Sequence, residues 1–125
     1  MKTITITVAG IILEAELNES PTAQAIWEAL PIQGIVNTWG EEIYFDIPLN
    51  VPQESEARAD VKAGEMGYWP VGHAFCVFFG RTPASTDENP RAASPVNVFG
   101  QIRGDITRLK SIKSGAMIRI EQAEA

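Results

Sequence analysis

GEMGYWPVGHAFCVFFGRTP, residues 64–83, is the stretch that decides the fold. Its second half holds a six-residue apolar run, Ala74 to Phe79, set between Gly72 and Gly80. A run that short and that apolar predicts a central strand buried on both faces. Its first half, Gly67-Tyr68-Trp69-Pro70, predicts a strand end that turns at a rim, because proline cannot continue a ladder.

The flanking sequence carries the same signature of short strands. Upstream, residues 3–8 (TITITV) alternate strictly, and residues 11–17 alternate again beyond the turn Ala9-Gly10, which predicts a hairpin. Ser20-Pro21 opens a helix over about 20–30, with Ala23, Ile26, Trp27 and Leu30 at one-face spacing, so Trp27 is expected in the core. Pro31 ends it. Residues 32–39 and 41–47 read as strands meeting near Gly40, residues 48–58 as an exposed loop and residues 59–63 as a short strand. Downstream, residues 81–95 contain Pro83, Pro90 and Pro95 with almost no periodicity, and read as a long loop of the kind that carries function. Residues 96–102 read as a strand, Asp105 to Lys110 as a short helical turn and residues 116–121 as a last alternating strand. Many short strands with turn signals and one helix predict a mainly β domain spanning residues 1–125: a closed barrel of mostly antiparallel strands, capped by the helix.

Composition bounds the function. With 125 residues, the chain buries roughly two thirds of its unfolded surface without a metal or disulfide staple. A net charge of −6 argues against nucleic acid and against an anionic membrane surface as partner. The single cysteine, Cys76, excludes an internal disulfide and fits a reducing compartment. With no leader-like apolar segment after Met1-Lys2 and no run near the ~20 residues of a membrane span, a cytoplasmic location is expected.

The side chains that could carry chemistry are few. Glu41 and Glu42 are adjacent, and adjacent strand residues face opposite ways, so they are not expected to share a proton. His73, the only histidine, sits at the start of the apolar run, and Cys76 within that run is expected to be buried and inert. One histidine, one cysteine and scattered carboxylates give no metal-ligand spacing, and the glycines at 64, 67 and 72 match no phosphate-cradling loop, so neither a metal nor a cofactor is expected. The aromatic residues near predicted strand ends, Trp39, Tyr44, Tyr68 and Trp69, are the stronger signal: they bring apolar area with a polar handle, and sites favour barrel mouths. With His73 they form the expected binding set, flanked by the 81–95 loop.

Trp39-Gly40-Glu41-Glu42-Ile43-Tyr44-Phe45, the Gly64–Pro83 block and Val96-Asn97-Val98-Phe99-Gly100 together resemble a small prokaryotic cyclophilin-like family. The resemblance spans nearly the whole chain and implies the cyclophilin-like barrel. It does not carry an activity. The Phe-His-Arg element of the prolyl isomerases is absent, and Gln101-Ile102-Arg103-Gly104-Asp105 is only a loose match to their Gln-x-Gly-Asp element. The expected function is therefore binding of a small molecule or peptide at an aromatic-rimmed cleft. The alternatives are a divergent prolyl isomerase, using Arg58, Arg81 or Arg103, and an assembly module such as a homodimer formed through an unpaired edge strand.

Overall fold

A computed structural model describes residues 2–123. Thr3–Val8 (β1) and Ile11–Leu17 (β2) form the first hairpin, turning at Ala9 and Gly10, both at positive φ. Alternation in TITITV buries Ile4, Ile6 and Val8 and leaves the three threonines on the wetter face. The helix Pro21–Ala29 (α1) follows. The Ser20 hydroxyl accepts the Ala23 amide at 3.1 Å, and Pro21 fills a first-turn position where no amide donor is needed. Thr22, Ala23 and Ile26 form its buried face. Trp27 is only half-buried against the core, with the Lys2 ammonium 5.4 Å from its ring centroid, so its expected core position is reached in part.

The remaining strands are Ile32–Ile35 (β3), Asn37–Thr38 (β4), Glu42–Asp46 (β5), Arg58–Asp60 (β6), Glu65–Trp69 (β7), Ala74–Phe78 (β8), Arg91–Arg103 (β9) and Met117–Gln122 (β10), with a 3-10 turn at Ile106–Ser111 before the last. Antiparallel ladders join them in the order β3-β10-β1-β2-β9-β7-β8-β5-β4, and β6 adds to β9.

The expected closed barrel is corrected by this order. The sheet ends at β3 on one side and β4 on the other, and among the described residues no ladder joins those ends. The two are consecutive stretches of chain on either side of Val36. The Val36 amide still bonds the Ala116 carbonyl at 2.9 Å, toward β10, while Asn37 already pairs with Tyr44 of β5. The chain therefore changes partners within one residue, and side chains fill the gap between β3 and β5. A Cβ on Gly34 would lie 2.6 Å from Phe45 Cδ2, so the Phe45 ring occupies the space that a side chain there would take.

The long loop read over residues 81–95 is also corrected. Its last five residues are strand, the start of the 13-residue β9. This end pairs only with β6, through an irregular register that matches Arg58 with Val96 and Asp60 with Arg91. Proline is tolerated in such a place because an irregular edge ladder does not need every amide, which accommodates Pro95.

Apolar side chains fill both faces of the β5-β8-β7-β9 region. Inside, Phe75 packs between Phe45, at 5.2 Å between centroids, and Phe99, at 4.9 Å and edge-on. Burial of each such ring contributes on the order of 1.5–3 kcal/mol. On the other face a smaller cluster gathers Val61, Ala74, Cys76, Phe78, Ala92 and Val96, with Tyr44, Trp69 and Val98 against it. Strand β8 is thus buried on both faces, as its apolar run predicts.

Candidate functional site

The smaller cluster does not fill its space. Between the sheet and the first part of β9 lies a cavity of about 170 Å3, walled by Trp39, Glu42, Tyr44, Trp69 and Cys76 and roofed by Ala92, Ala93 and Val96.

Strand geometry brings these groups together. Alternation along β5 turns Glu42 and Tyr44 to this face. The register sets Tyr44 opposite Cys76 and Glu42 opposite Phe78, which leaves Glu42 diagonal to Cys76 and within its reach. Strand β7 sets Trp69 opposite Ala74 and Gly67 opposite Cys76. Trp39 arrives through a tight turn: Gly40 takes φ +61°, and the Trp39 amide donates to the Glu42 carbonyl at 2.9 Å. Trp69 is held from two sides. Its indole Nε1 donates to Ser94 Oγ at 2.6 Å, and its ring covers Gly72, where a Cβ would fall 2.5 Å from the ring.

The electrostatics of the site centre on Glu42, which is only 6% exposed. Burial pushes its carboxyl from 4.5 up to about 7, and a hydrogen bond from the Cys76 thiol offsets part of that rise. Burial, then the Glu42 charge and the hydrogen bond to it, push the Cys76 thiol well above its ordinary 9.0. Cys76 therefore stays protonated at neutral pH and acts as a weak donor, not a nucleophile. Glu42 is poised to hold or release a proton near neutrality, and perturbed groups of this kind concentrate at functional sites.

Of the residues expected from sequence, Trp39, Tyr44 and Trp69 meet at this cavity. Tyr68 and His73 lie on the opposite side of the sheet. Tyr68 is fully buried in the main core, where its hydroxyl donates to the Leu49 carbonyl at 2.7 Å. His73 Nδ1 stands 3.3 Å from that hydroxyl, and the His73 backbone takes φ +51°. Glu42 and Cys76 are the members that sequence reasoning set aside. The signal for Glu42 was its two-residue spacing from Tyr44, which places both on one face; the register across to Cys76 is not written in either segment.

Other features are less shaped for binding. A hollow of about 420 Å3 beside Glu16, Glu65, Gln101 and Arg103 is open to solvent, and Arg103 there pairs with Glu16. Arg58 pairs with Glu65 at 2.9 Å. Neither of these arginines nor Arg81 lines the 170 Å3 cavity. Among the described residues no three metal-ligating side chains gather, and no helix is long and apolar enough to cross a membrane.

A family model described as cyclophilin-like matches residues 2–121. The solution structure of a hypothetical protein from Archaeoglobus fulgidus is similar at a TM-score of 0.81 and 38% identity, covering 98% of this chain and 95% of that one. No curated protein matches the chain.

Proposed function

The chain belongs to the cyclophilin-like family, and on that scaffold we propose that it binds a small molecule, or one side chain of a peptide, in the cavity between β5, β8, β7 and the start of β9. The observation that carries this reading is the convergence of Trp39, Tyr44 and Trp69 around an unfilled, partly enclosed space with one buried carboxyl in its wall. Sites of this type pair apolar and aromatic walls with a few placed polar groups. The volume is below that of a drug-sized pocket. At about 30 Å3 of liquid volume per water, it admits a group of about half a dozen non-hydrogen atoms.

Binding is favoured over prolyl isomerisation by the cavity wall itself. An isomerase of the expected kind needs an arginine beside the apolar pocket to stabilise the twisted amide, and Arg58 and Arg103 are engaged with carboxylates elsewhere.

The test is an NMR titration with X-Pro peptides and a set of small fragments, reading the indole N–H signals of Trp39 and Trp69. Saturable shifts that Trp69→Ala weakens at least tenfold are expected. If no member of the set moves either indole, the reading is wrong. Exchange between cis and trans peptide forms in the same tube would instead revive the isomerase.

A further inference from the structure

We propose that the cavity receives a compact organic ammonium group, with the Glu42 carboxylate as its counter-ion and Trp39, Tyr44 and Trp69 as the surrounding aromatic wall. The inference rests on the small-ligand reading above and adds the charge of the ligand.

Glu42 is nine-tenths buried, and among the described residues its carboxyl forms no ion pair; the neutral thiol of Cys76 lies against it. A carboxylate taken out of water without a cation is costly, and the same burial raises its pKa. The charged groups on the elements packed around this face do not supply the missing cation. Lys110 pairs with Glu41 at 3.7 Å, Arg91 with Asp60 at 2.6 Å and Arg58 with Glu65 at 2.9 Å; Arg81, whose carbonyl accepts the Glu41 amide, does not line the cavity, and Asp46 stands exposed at the far end of β5. The other titratable groups in the cavity wall, Tyr44 and Cys76, carry no positive charge in any state.

The rest of the wall suits a cation and little else that is charged. Three aromatic residues line a space with room for a few carbon atoms around one nitrogen. Aromatic faces attract ammonium groups through the ring quadrupole, and several rings around one small space are the arrangement that recognises methylated ammonium. An anion would meet the Glu42 charge. A neutral apolar ligand would fill the space but leave the carboxylate uncompensated. The overall charge of −6 acts in the same direction by favouring approach of cations.

The experiment compares choline with dimethylbutanol, its neutral isostere with a quaternary carbon in place of nitrogen, by NMR titration at pH 6 and pH 8. With Glu42 titrating near 7, its ionised fraction rises about tenfold over that interval, so choline affinity should rise about tenfold while that of dimethylbutanol does not. Glu42→Gln should reduce choline to the affinity of the isostere. If that variant does not fold, the wild-type pH profile carries the test alone. A short peptide bearing trimethyllysine forms a third arm: binding tighter than choline assigns the ammonium to a peptide, and weaker binding assigns it to a free molecule. Equal affinity for choline and dimethylbutanol at both pH values overturns the ammonium inference and leaves the small-ligand reading standing. No shift with either compound overturns the inference, and the fragment titration then decides the broader reading separately.

Discussion

Val96 occupies the space above the sheet that a side chain at position 67 would need. A Cβ on Gly67 would lie 2.7 Å from Val96 Cγ2 and 3.5 Å from the Phe78 ring. This contact lets the start of β9 come down close enough to roof the cavity. Gly67→Ala should destabilise the fold by about 1–3 kcal/mol, the usual cost of overpacking. Adding Val96→Ala should restore part of that loss, so a urea-denaturation cycle should give a double variant less destabilised than the two singles combined. Strict additivity would show that the two residues do not compete for space.

Glu42 makes stability depend on pH. Its folded-state pKa is raised, so the folded chain holds a proton that the unfolded chain releases between about 4.5 and 7. Stability is fully present below that window, falls as pH rises through it, and levels off above it. The whole loss over the window is on the order of 3 kcal/mol. Glu42→Gln should flatten this slope and raise the melting temperature at pH 8 relative to wild type. A wild-type profile that stays flat from pH 4.5 to 8, once the other carboxylates are accounted for with the variant, would contradict the assignment.

Tyr68 faces the main core, so its hydroxyl matters for stability and not for the cavity. Tyr68→Phe removes the donor to the Leu49 carbonyl and should cost about 1 kcal/mol. Affinity for any cavity ligand should remain within about twofold of wild type, since ring packing is retained. A large loss of affinity with unchanged stability would place Tyr68 in the site after all.

Asn97 ties three segments together. Its side-chain amide donates to Thr22 Oγ1 at 3.0 Å and to the Pro52 carbonyl at 2.9 Å, and its carbonyl accepts the Glu54 amide at 2.9 Å. Glu54 in turn accepts from the Thr22 hydroxyl and amide. Asn97→Ala strands these partners and should cost on the order of 1–3 kcal/mol. Hydrogen exchange should speed up across residues 48–57 before it does so in β1 or β10.

Cys76 should resist thiol reagents in the native state, because burial and the neighbouring carboxyl both hold it protonated. Its labelling rate should follow global unfolding as urea is added. Rapid labelling of the native protein would show that the cavity opens more freely than its walls imply.

The strands with strict alternation were legible without the structure. TITITV, the Ala116–Glu121 segment and the Ala74–Phe79 run announce both their type and their buried faces. The start of β9 was not legible, because Arg-Ala-Ala-Ser-Pro has neither apolar alternation nor β-branched residues; its strand character comes from pairing with β6. The site was legible only in part for a related reason. Adjacency in sequence groups Tyr68 with Trp69, whereas adjacent strand residues face opposite ways. The meeting of Glu42 with Cys76 depends on which strands pair and in what register, which no local pattern encodes.

The change of partners at Val36 has a consequence for how copies of this protein behave when crowded. A sheet that ends in long bare strands offers a template on which further chains can stack. Here the two ends are four and two residues long, they are consecutive stretches of chain on either side of Val36, and the Phe45 ring covers the gap between β3 and β5. The remaining side strand, β6, is three residues long, and two of them are charged and held in ion pairs. A ten-stranded sheet thereby presents only short lengths of open ladder. The route the chain takes, together with the charged residues of β6, thus leaves little bare edge on which further chains could stack.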